Sequence, residues 1–138
     1  MKLLLTCMLF TLSLAGTSTP AAIVAAPGSD AKAVLGDWHG TSLCLVKPSA
    51  CHDEEALYHV KVSSDQSILS LQADKIVDGQ PVTMGTSDCS YDLAKKLLHC
   101  DLGKGYVELT LAGDRLEGAM FLQDKTRWRE IKLTRVKS

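Results

Sequence analysis

Residues Tyr106–Val136, YVELTLAGDRLEGAMFLQDKTRWREIKLTRV, decide the fold. Three runs within it, Tyr106–Leu111, Arg115–Leu122 and Thr126–Val136, follow a two-residue apolar period, with Gly113–Asp114 and Gln123–Lys125 between them. That period is the mark of a half-buried strand, because successive side chains point to opposite faces of a sheet. Connections this short leave no room for a crossover, so the three strands are expected to run antiparallel as neighbours.

The same period extends upstream. Lys96–Leu102 precedes the turn Gly103–Gly105, and Pro81–Ser87 begins a return strand after Asp78–Gly79. An Asp-Gly pair suits a tight hairpin because glycine takes positive φ at little cost. Leu69, Leu71 and Ala73 alternate with Ser70, Gln72 and Asp74, and Tyr58, Val60 and Val62 alternate with His59, Lys61 and Ser63. Trp38–Val46 reads as the first strand, broken by Pro48, and Asp53–Leu57 is expected to form at most one helical turn, since acidic residues suit a helix start. The chain is therefore read as all-β, a single antiparallel up-and-down meander of about eight strands. A closed barrel is expected ahead of an open sandwich, because closure leaves no exposed strand edges.

In front of this body stand Met1 and Lys2, an apolar run Leu3–Leu14 and a small-residue region Ala15–Ala26. A charged start, an apolar centre and a small-residue tail are the layout of a secretory signal peptide. Residues 1–26 are read as that leader, with cleavage anywhere from 15 to 26, residues 27–34 as a linker or arm, and residues 35–138 as the barrel domain. The apolar run falls short of the roughly 20 residues that cross a bilayer, so no membrane anchor is expected once the leader is removed. The expected location is the periplasm or the extracellular space, and Cys7 is signal filler.

Removing Lys2 from 15 basic residues against 16 acidic ones leaves a formal net charge of −2. Near neutrality gives no field for nucleic acid. The cations Lys125, Arg127, Arg129, Lys132, Arg135 and Lys137 crowd the last strand against Glu130 alone, and are read as a solvated strand face rather than an anion site. Four cysteines remain, Cys44, Cys51, Cys89 and Cys100. An even number in a small exported domain argues for disulfides, and short spacing favours Cys44 with Cys51 and Cys89 with Cys100. Each closure is worth about 2–3 kcal/mol by loop entropy. Zinc is the weaker reading despite His52 and His99 beside cysteines, because neither pair has the short gap of a metal knuckle.

The motif Gly36-Asp37-Trp38 at the start of the first strand resembles the Gly-x-Trp opening of the lipocalin-like (calycin) barrels. That resemblance implies that Trp38 covers the closed end of a barrel and that an arginine of the last strand lies across it. Arg129 is the matching residue, on the face shared with Ile131 and Leu133, with Arg127 as the alternative. The strings LGDWHGTSLC, CHDEEALYHV, LQADKIVDGQPVTMG and YDLAKK resemble a group of small exported bacterial proteins of uncharacterised function; this adds support for the strand order and no reaction.

No catalytic constellation is found: the sequence has no His pair at i, i+4, no phosphate-binding glycine loop and no Gly-x-Ser-x-Gly elbow. His52, Asp53, Glu54 and Glu55 are consecutive, so they point in several directions and read as a solvated loop. His39, His59 and His99 read as surface or half-buried strand residues. No metal and no cofactor is expected, and the protein is expected to be non-enzymatic. An eight-stranded barrel can hold one small ligand, so the leading expectation is a binding protein for a small apolar molecule, lined by Val60, Val62, Leu69, Leu71, Val82, Met84, Leu109 and Leu111. The alternative is an interaction module, similar to exported barrels that inhibit secreted hydrolases through an N-terminal segment, here Ala26–Val34.

Overall fold

The computed structural model describes residues 31–64 and 68–137; the expected leader and residues 27–30 lie outside them. A 3-10 turn, Ala31–Ala33, leads into eight strands: β1 Gly36–Cys44, β2 Glu54–Val62, β3 Leu69–Val77, β4 Gln80–Asp92, β5 Leu97–Asp101, β6 Gly105–Ala112, β7 Arg115–Leu122 and β8 Arg127–Arg135. Each pairs antiparallel with the next and β8 returns to β1, so the sheet closes into an up-and-down barrel. The β3–β4 turn is built by Asp78 and Gly79, both at positive φ (51° and 76°), the backbone a two-residue hairpin needs. Asp53–Leu57 is not a helical turn: β2 starts at Glu54, where pairing with Ser42 and Thr41 satisfies a backbone that a lone turn would leave open.

Inward positions follow a two-residue period along the strands, interrupted where the register shifts at Met84 in β4 and Trp128 in β8, and they divide the interior into halves. At the end where β1 begins, Trp38, Leu69, Leu98, Leu109, Leu116, Ile131 and Leu133 are almost wholly buried. Burying side chains of this size contributes about 1.5–3 kcal/mol each, which makes this half the main source of stability. Ala31 and Val34 plug the end, and Trp38 Nε1 donates to the Val34 carbonyl at 3.0 Å. The expected arm is therefore not free over residues 31–34. Gly40 faces Leu133 across the β1–β8 seam, where a Cβ would collide with the Lys132 carbonyl; the two strands meet this closely only because glycine stands there.

The arginine lying across Trp38 is Arg135, not Arg129 or Arg127. Its guanidinium carbon sits 4.1 Å from the ring centroid, while Nη1 donates to the Leu35 carbonyl at 2.7 Å and Nη2 donates to that of Ala33. The reason is direction: β8 runs antiparallel to β1, so Trp38 is opposite Arg135 and Arg129 is opposite Cys44 at the far end. Arg129 has the expected inward parity but lies six residues away along β8, about 20 Å at strand rise.

Disulfides join Cys44 to Cys51 and Cys89 to Cys100. The first closes the loop between β1 and β2 at the open end; the second links two residues directly opposite in the β4–β5 ladder. Both pairs suit an oxidising environment. Among the described residues, no helix is long and apolar enough to cross a membrane.

Candidate functional site

The open half of the barrel is not filled. Where the closed half presents leucines and Trp38, the inward positions here include Ser42, Ala73, Gly85 and Ser87, which are too small to meet across the interior. They leave a cavity of about 270 Å³, lined also by Glu54, Tyr58, Leu71, Met84, Leu102, Val107, Met120 and Arg129. Its walls are thus mainly apolar, with one polar cluster.

Arg129 organises that cluster. Its Nη1 lies 3.3 Å from Glu54 Oε2 and donates to the Ser42 carbonyl at 3.1 Å and to Ser42 Oγ at 3.2 Å. The two charged side chains are only 13% and 16% exposed, so each would be costly here without the other. Ser42 and the Tyr58 phenol line the same part of the cavity. Burial pushes the Tyr58 pKa above its ordinary value, outweighing Ser42 and the nearby Arg129 cation, which pull it down. The phenol therefore stays protonated at neutral pH. The cluster is electrically balanced, one guanidinium against one carboxylate beside two hydroxyls, and among the described residues no buried side-chain polar atom lacks a hydrogen-bond partner.

The mouth of the cavity follows from unequal strand pairing. β4 pairs with β3 along nearly its whole length, from Gln80 to Cys89, but with β5 only through Cys89–Asp92. β5 ends at Asp101 and the chain turns at once into β6. The wall therefore has a slit beside Gln80–Asp88, where Met84 is 46% exposed and Gly85 has nothing within 4 Å of the position a Cβ would take.

Of the eight expected lining residues, Leu71 and Met84 border this cavity. Val60, Leu69, Leu109 and Leu111 are packed into the core, and Val62 is partly buried against it. Val82 faces solvent at 43% exposure. The expectation fails for these six because large apolar residues fill space; a cavity appears where small residues hold inward positions. Inward parity combined with small size marks Ser42, Ala73, Gly85 and Ser87, and that signal was present in the sequence.

The polar run His52–Glu55 disperses as expected from consecutive residues. His52 is exposed; Asp53 Oδ1 accepts the Cys44 amide at 2.8 Å; Glu54 turns inward to Arg129; and Glu55 turns outward to His39 Nε2 at 2.6 Å. Among the described residues, no three His, Cys, Asp or Glu side chains converge on a metal-binding point. The basic last strand also disperses: Arg127 and Lys132 both reach Glu130, while Arg129 and Arg135 point inward.

On the outer wall, His59 bridges two carboxylates, with Nδ1 2.7 Å from Asp37 and Nε2 3.2 Å from Asp74. Asp74 is 4% exposed. Burial alone would raise its pKa, yet hydrogen bonds from Thr83, Gln72 and His59 together hold it below the ordinary value. Further round the wall, His99, Tyr106 and Phe121 stack in sequence, with centroids 5.4 and 5.0 Å apart, a cross-strand ladder of the kind that stiffens a sheet. No protein-family model, curated protein or solved structure matches this chain.

Proposed function

We propose that this is an exported, non-enzymatic binding protein, working in the periplasm or outside the cell, whose open-half cavity takes one small molecule. The observation that carries this reading is a partly open interior of about 270 Å³ with apolar walls and a single polar cluster. A cavity near the lower end of ligand-site volumes limits the ligand to a small one. Because Glu54 already balances Arg129, a carboxylate ligand would meet both attraction and repulsion. The cluster fits better a neutral end group, such as an alcohol, ketone or amide, hydrogen-bonded by Tyr58, Ser42 and the guanidinium. The buried Trp38 beneath Arg135 is in keeping with a lipocalin-like ancestry.

N-phenyl-1-naphthylamine, a neutral apolar fluorophore, tests this. Wild type is expected to bind it with enhanced emission, and Ala73→Phe, which fills the cavity, to weaken binding at least tenfold. Native mass spectrometry of the exported protein should show a retained small molecule. Equal binding by wild type and Ala73→Phe, with no retained mass, overturns the reading.

A further inference from the structure

We infer that the slit beside β4 is a docking site for a short extended peptide, which pairs with the free edge at Gly85–Asp88 and sends one apolar side chain into the cavity. Residues Gln80–Asp88 bond to β3 on one side only. Among the described residues, no backbone hydrogen bond from another segment reaches their other side, and Gln80–Thr86 are exposed without interruption. A row of unpaired N–H and C=O groups at strand spacing is matched by one kind of ligand, another extended backbone. Natural edges are often guarded by lysine; here the one charge from Gln80 to Asp88 is Asp88 at the far end.

Three details choose a peptide over a second copy of the chain. Pro81 lacks an N–H, and the register shift opposite Ala73 and Asp74 puts a bulge at Met84, so the first half of the edge is a poor template. The regular part is the short stretch Gly85–Asp88; two copies paired antiparallel through it would set each Met84 bulge against Cys89 of the other copy, where β5 already holds the strand, so they could share these four positions and no more. Gly85 leaves open space at its Cβ position, the condition for close approach of another backbone. Met84, Gly85 and Ser87 also line the cavity, across from Leu102, Val107 and Met120. Alternate side chains of an added strand point to opposite faces, so one of them would enter this apolar space. The inference stands whether or not a small molecule uses the cavity.

A random linear heptapeptide library displayed on phage and panned on the full oxidised domain is the test, followed by synthesis of the enriched sequences. Enriched peptides are expected to share one apolar position, and N-methylation of alternate backbone amides should weaken them at least tenfold. Gly85→Val should weaken them comparably while leaving the fold intact, since its Cβ meets no atom and β-branched residues suit strands. Thr86→Lys, which puts a charge on the edge, serves as a second variant. The inference is overturned by any of three results: no enrichment over uncoated surface, binding indifferent to N-methylation and both substitutions, or a sedimenting dimer that occupies the edge.

Discussion

The closed and open halves of the barrel each hold an inward arginine of β8, and the neighbours of each decide what it does. Arg135 meets the face of Trp38 and two backbone carbonyls, so it seals a packed end. Arg129 meets Glu54 and Ser42 and borders empty space. The strand, the face and the residue type are the same. The difference lies across the interior: a full-sized aromatic and leucines in one half, and Ser42, Ala73, Gly85 and Ser87 in the other. Close packing and empty volume thus lie at opposite ends of one sheet.

The largest test of that division is Trp38→Ala, which should cost about 3–5 kcal/mol by opening a cavity in the packed half. Urea unfolding measures it, and a loss below about 1 kcal/mol would mean that the closed half does not carry the fold. A smaller effect is expected from Glu54→Ala, about 1–3 kcal/mol, because Arg129 is then left mostly buried without its carboxylate. The double replacement Glu54→Leu with Arg129→Met should recover most of that loss, since it leaves no charge to compensate. A double variant as unstable as the single one would remove the pair as the cause.

The smallest effect separates the outer wall from both interiors. The folded-state pKa of Asp74 is depressed, so its contribution is complete above the unfolded value of about 3.9 and is lost as pH falls through the lower folded value. Thermal midpoints recorded between pH 5 and pH 2 should therefore fall more steeply for wild type than for Asp74→Asn. Parallel curves would show that the contacts of Thr83, Gln72 and His59 with the Asp74 carboxylate do not stabilise the folded state.

The fold was legible because strand period and turn chemistry are local: Gly113–Asp114 and Asp78–Gly79 mark their hairpins without reference to anything distant. The Trp38 partner was harder, since parity is local but end-to-end direction depends on β8 closing against β1. Antiparallel pairing at that seam sets Arg135 opposite Trp38. The cavity is hard to read from sequence for a different reason. Large apolar residues such as Leu109 and Val60, the expected lining, fill space, whereas volume remains where side chains are small. The slit at β4 depends on β5 being only five residues long, a boundary set by the turn after Asp101 and invisible in the alternation itself.

The disulfide between Cys89 and Cys100 sits at the point where this slit stops. It spans the first of only four residue pairs that hold β4 to β5, the shortest seam in the barrel. A covalent bond there acts as the end-stop of a zip. In a reducing compartment the same seam depends on a few hydrogen bonds, and its parting would unroll the barrel into an open sheet with β4 and β5 as bare margins. Such margins recruit other chains into aggregates, so soluble production of this protein should depend on an oxidising route even though most of its core lies elsewhere.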